Sequence, residues 1–151
     1  MSDKVDRGPL KLPKVRRWTV YGVSFGVWLT GILWLVYHYF LRTEGKFGFK
    51  AHPLENWWLK LHGAFSFWAI WIFGLLWSIH IVRGWNSNWR RWSGGFLTGF
   101  AFILTITGLL LYYLDSQEWR EWTSVAHWVL GIAALAGFLI HWLSKSLPKR
   151  A

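Results

Sequence analysis

The chain has 151 residues, of which 54% are hydrophobic and 16% charged, and its apolar residues fall in long uninterrupted runs. That pattern excludes an ordinary water-soluble domain and any separate soluble catalytic domain. With no cysteine, disulfides, cysteine-ligated iron–sulfur clusters, thioether-attached haem and thiol chemistry are excluded as well. The net charge of +10 would suit a nucleic acid, but the positions of the charges point to a membrane instead.

Residues 1–17 form a polar, basic tail carrying Lys4, Arg7, Lys11, Lys14, Arg16 and Arg17. Pro9 and Pro13 argue against helix before Val15. The tail has neither a short apolar stretch nor a small-residue cleavage site, so the first apolar run is expected to persist as a helix. Four runs of about 20 apolar residues then predict membrane helices over 18–41, 58–82, 95–114 and 125–143. The expected fold is all-α, an integral membrane four-helix bundle over 18–145 with a second short basic tail at 146–151.

In the first run, Gly22 and Gly26 make a small-xxx-small pair that permits close helix approach, and Gly31 lies on the same side. The connection TEGKFGFKAHPLENWW (43–58) is expected to be irregular because of Gly45 and Gly48, until Pro53 resets the chain. Its His52, Glu55, Asn56 and Trp57 could cap the bundle or roof a quinone pocket. The third run offers Gly99 and Gly108 with Thr105 and Thr107, either as room for a flat cofactor or as plain packing with threonines bonded to their own backbone. Many of the 15 tryptophans fall at run boundaries, as an interfacial aromatic belt does.

Arg83, Arg90 and Arg91 separate the second and third runs, and Lys145, Lys149 and Arg150 follow the fourth. The other two connections balance Arg42, Lys46, Lys50 and Arg120 with Glu44, Glu55, Asp115, Glu118 and Glu121. Positive-inside bias therefore puts both termini and the 83–91 connection in the cytoplasm.

Four histidines lie inside the apolar runs. His62 and His80 are 18 residues apart in the second run, and His127 and His141 are 14 apart in the fourth. At about 100° per residue, 18 residues return to the same face and 14 to within about 40° of it. Both runs cross in the same direction, so His62 and His127 would share the outer depth and His80 and His141 the inner one. The rises, about 27 Å and about 21 Å, differ and call for a tilted second helix or a shifted ligand. An intramembrane histidine is a functional candidate by default. Two pairs at two depths suit bis-histidine ligation of two b haems better than zinc, which gathers three or four ligands at one point. Arg83, Arg90 and Arg91 inside, with Lys60 and Arg120 outside, could meet the propionates. His38 could be an alternative outer ligand, a quinone hydrogen-bond donor or an interfacial residue beside tyrosines. His52 with Glu55 could accept protons from a quinol.

On HPLENWWLKLHG at 52–63, SIHIVRGW at 78–85, TGLLLYY at 107–113 and AHWVLGIAALAGFLIH at 126–141, the chain resembles the small four-helix diheme cytochrome b membrane proteins. The resemblance covers about residues 18–145. It implies b haem on His62, His80, His127 and His141, electron exchange with quinone and with a redox partner subunit of a larger membrane complex, and a multi-pass place in a prokaryotic inner membrane. The 18-residue spacing departs from that pattern. The expected function is electron transfer between two bis-histidine haems across the bilayer, with at least one haem bound. The alternatives are a stand-alone oxidoreductase, for example from superoxide to quinone, and a non-redox structural or assembly subunit.

Overall fold

A computed structural model describes residues 12–45, 48–86 and 91–143. Both basic tails, apart from residues 12–17, and Arg90 lie outside the described residues. Four helical stretches are long and apolar enough to cross a membrane: Lys14–Tyr39, Pro53–Asn86, Arg91–Tyr113 and Gln117–Leu143. Each starts or ends a few residues beyond its apolar run, the helix continuing into flanking polar and aromatic residues.

The chain divides into two units, Leu12–Leu75 and a second from Leu76 onward, with the boundary inside the Pro53–Asn86 helical stretch. In the first unit, helix α1 (Lys14–Tyr39) begins directly after Pro13, one residue before the predicted Val15. Its far end is closed by Phe40 N–H donating to the Val36 carbonyl and by Arg42 Nε donating to the His38 carbonyl at 2.8 Å. The expected irregular connection is instead a hairpin. Strands β1 (Thr43–Gly45) and β2 (Gly48–Lys50) pair antiparallel, Thr43 with Lys50 and Gly45 with Gly48. Gly48 takes φ of 118°, a conformation that favours glycine. Helix α2 (Pro53–Leu76) opens with Pro53 at its first position, where the missing N–H costs nothing.

Long side chains carry the α1–α2 contact. The Phe65 ring lies on Gly26, so close that a β-carbon there would fall 2.5 Å from Phe65 Cδ1. The imidazole of His62 lies on Gly31. A β-carbon at Gly22 would meet no other part of the described chain within 4 Å. The small residues of α1 thus admit rings from α2, where the small-xxx-small pair predicted close approach of another helix.

In the second unit, the stretch passes through a π-helical turn at Trp77–Ile81, which contains His80, into the short α3 (Val82–Asn86). Trp77 meets Phe102 edge-on at 5.8 Å. Arg91 Nε donates to the Trp85 carbonyl, and the Arg91 guanidinium lies 5.8 Å from the Trp85 ring centre. Helices α4 (Arg91–Tyr113) and α5 (Gln117–Leu143) form the main packed pair. A three-residue connection forces them antiparallel. Ser116 supplies the N-cap of α5, with Glu118 in its first turn. The register is regular: Ser93 meets His141, Leu97 meets Gly137 and Thr107 meets His127. Each step along α4 is matched by an equal step back along α5.

Among the described residues the buried apolar side chains are Ile72 and Ala134, while Phe67 is 77% exposed and Tyr113 77%. Water would not tolerate so much apolar surface on a folded chain; hydrocarbon asks for it. Gly26→Ala should therefore act through Phe65 and not through solvent. We expect it to lower stability in detergent by about 1–3 kcal/mol, with Phe65→Leu in the same chain recovering most of the loss. Additive losses in that double-mutant cycle would show that the ring contact is not what makes the glycine necessary.

Candidate functional site

Three of the four intramembrane histidines use Nδ1 toward a hydroxyl on a neighbouring helix. His62 Nδ1 lies 3.0 Å from the Val27 carbonyl and 3.3 Å from Thr30 Oγ1. A carbonyl oxygen can only accept, so Nδ1 carries the proton. Thr30 agrees: it is 3% exposed, and its hydroxyl donates to the Gly26 carbonyl at 2.7 Å, which leaves lone pairs for the imidazole. The neutral ring then holds its own lone pair on Nε2.

The same logic holds for His127. Its Nδ1 lies 2.8 Å from Thr107 Oγ1, whose proton goes to the Ile103 carbonyl at 2.8 Å. The proton between them therefore belongs to Nδ1, and the lone pair of His127 is on Nε2. Gly108 lies against the ring: a β-carbon there would be 3.4 Å from His127 Cε1. At Gly31 the corresponding distance to His62 Cε1 is 3.1 Å. Thr105 makes the plain back-bond, to the Ala101 carbonyl at 2.8 Å, and is exposed. Both threonines thus make the expected back-bond, and Thr107 in addition meets His127.

His141 Nδ1 lies 2.9 Å from Ser93 Oγ. Ser93 and Thr107 are 14 residues apart on α4, and His127 and His141 are 14 apart on α5. An antiparallel pair must bring such equal spacings together. The matched interval was a signal present in the sequence. Sequence reasoning weighed Thr107 as a small residue beside a cofactor or as a back-bonded packing residue, and overlooked Thr30 and Ser93.

His80 stands apart by its backbone. A π-turn advances less angle per residue than an α-turn, and such turns recur at functional sites. The constant 100° step from His62 to His80 therefore fails at Trp77–Ile81, and the 18-residue spacing does not itself put the two on one face.

At the hairpin end of α1 and α2 the partners differ from those expected. Glu55 Oε1 pairs with His38 Nδ1 at 2.7 Å, and His38 stacks on Trp34 with 4.7 Å between ring centres. His52 turns away from Glu55: its Nδ1 accepts the Leu54 N–H at 3.1 Å, its carbonyl accepts the Glu55 N–H at 2.9 Å, and its ring lies 4.8 Å from Tyr37. It is the N-cap of α2. Glu55 thus pairs with His38 and not with His52, whose acceptor nitrogen is used in capping.

Of the cations expected near propionates, Arg120 directs Nε and Nη2 to the Leu114 carbonyl at the end of α4, at 3.2 and 2.6 Å. Lys60 lies 5.1 Å over the Trp57 ring. Arg83 is exposed on α3. Among the described residues, the indole donors Trp58 Nε1 and Trp128 Nε1 are buried with no hydrogen-bond partner. Trp58 is one helical turn before His62, and Trp128 follows His127 directly. Among the described residues, no three His, Asp or Glu side chains gather as a metal cluster.

No family model, curated protein or solved structure matches the chain.

The cap role of His52 has a direct test. His52→Ala should cost about 1 kcal/mol of thermal stability in detergent, and His52→Asn, which restores a capping oxygen, close to none. Equal losses in both variants would contradict the cap.

Proposed function

We propose that the chain is a membrane-bound b-type cytochrome, passing electrons across the bilayer between quinone and a redox partner subunit. His62, His80, His127 and His141 would be the axial ligands of two haems. The observation that carries this reading is the contact of Nδ1 with the Val27 carbonyl at His62 and with the Thr107 hydroxyl at His127. Nδ1–H donating to those oxygens leaves the lone pair on Nε2, the state a metal ligand needs.

The rest of the donor set fits the group. Neutral imidazole adds no charge to hydrocarbon. The buried Trp58 and Trp128 N–H groups are donors left for acceptors such as propionate carboxylates, since a buried unsatisfied donor costs about 1–3 kcal/mol. Arg83 remains available to a propionate, while Arg120 already spends two of its N–H groups on Leu114. Haem with two imidazole ligands supplies a one-electron carrier.

The His38–Glu55 pair is the proton acceptor in this reading. Quinol oxidation releases protons, and a carboxylate 2.7 Å from an imidazole can take one and pass it on. A multi-pass place in a prokaryotic inner membrane, with both termini inside, completes the proposal and rests on the lysine and arginine distribution.

Two measurements test it. Purified protein, reduced with dithionite, should show a b-type α-band and two haems per chain; His127→Ala should lose at least half of that haem while staying helical. Wild-type protein that is folded, expressed with ample haem and colourless would refute the reading. Separately, Glu55→Gln should slow haem reduction by a quinol about tenfold or more, within the range of general acid–base contributions, with dithionite-reducible haem unchanged. Unaltered quinol kinetics would move the proton acceptor elsewhere.

A further inference from the structure

Thr30–Gly31 on α1 and Thr107–Gly108 on α4 are the same dipeptide in two different units, and each stands against the histidine of the following helix. In both, the threonine hydroxyl donates back to its own helix, Thr30 to Gly26 and Thr107 to Ile103. A hydroxyl whose single proton is so committed can only accept from an imidazole, and accepting selects the Nδ1–H form of the ring. In both, the next residue is a glycine, and a β-carbon would lie 3.1 Å or 3.4 Å from the imidazole Cε1. At Gly31 the missing β-carbon lets the His62 ring come down to the hydroxyl, while at Gly108 the His127 ring rests at ordinary contact distance.

We infer that Thr107, and Thr30 together with the Val27 carbonyl, are positioning groups that hold His127 and His62 in the Nδ1–H tautomer and so present Nε2 for coordination, with Gly31 and Gly108 as the seats of the two rings. The role of Nε2 rests on the cytochrome reading above; the tautomer does not. The device suits its surroundings. In hydrocarbon there is no water to supply an alternative acceptor, so an inter-helix hydroxyl is worth keeping. It also fixes ring orientation and raises ligand basicity, as outer partners of metal-bound histidines do.

The test uses full-length protein in detergent and four variants: Thr30→Val, Thr30→Ser, Thr107→Val and Thr107→Ser. Valine keeps the shape and removes the hydroxyl; serine restores it. Haem titrated into haem-free protein should bind roughly 10- to 100-fold more weakly to Thr107→Val, and the midpoint potential of one haem should shift upward while the other stays. Thr107→Ser should recover both. Thr30→Val leaves the Val27 carbonyl as an acceptor for His62, so its loss should sit at the low end of that range. Valine variants with wild-type affinity and potential would overturn the assignment.

A second measurement needs neither haem nor variants. Nitrogen-15 spectra of histidine-labelled, haem-free wild-type protein should report Nδ1–H for His62 and His127, and an Nε2–H form at either would overturn the inference. The two readings fail separately. Wild-type protein that takes up no haem would defeat the cytochrome proposal, while the nitrogen spectra would still decide whether the threonines set the tautomer.

Discussion

Hydrocarbon supplies no hydrogen bonds, so every polar group placed in it must find its partner within the protein. The helices meet that demand for the backbone. For the histidines it is met by hydroxyls and a carbonyl on the neighbouring helix: Thr30 and Val27 for His62, Thr107 for His127 and Ser93 for His141. These bonds also set the register of the helices that carry them. A shift of α4 against α5 by one residue would break both the Ser93–His141 and the Thr107–His127 bonds at once. The pair is therefore pinned by two polar contacts 14 residues apart, with Leu97 against Gly137 between them.

Small residues make that pinning possible. Between helices surrounded by lipid, apolar burial gives little preference for one contact over another, and packing and hydrogen bonding decide. Gly26 and Gly31 each receive a ring that a β-carbon would crowd, and at Gly108 the His127 ring lies at van der Waals distance from where a β-carbon would be. In the first unit the rings of Phe65 and His62 reach across to α1. The apolar faces left over, such as Phe67, Trp68 and Trp71, are exposed side chains suited to lipid.

At the hairpin end, competition for partners determines which residues meet. Glu55 is three residues after His52, a spacing at which a capping residue and a first-turn carboxylate commonly bond each other's backbone. Here the His52 ring caps Leu54 and its carbonyl takes the Glu55 N–H, so the Glu55 carboxylate is left to reach His38 on α1. That pairing ties the two helix ends together and joins an imidazole stacked on Trp34 to a carboxylate. It also moves the proton-accepting pair of the proposed function from the loop to the helix ends.

By itself the sequence determined the four helical stretches, their apolar character and which histidines fall within them, because run length and composition are local properties. It also held the 14-residue intervals at Ser93–Thr107 and His127–His141, which any antiparallel pairing would match. Only the tertiary structure decided what those residues touch. The hairpin at 43–50 depends on pairing that glycines permit but do not announce. The π-turn at Trp77–Ile81 adds a change of angle that a constant 100° step cannot foresee. The tautomers of His62 and His127 depend on a carbonyl and a hydroxyl of the neighbouring helix, Val27 and Thr107, and that is settled across a helix interface and not along the chain.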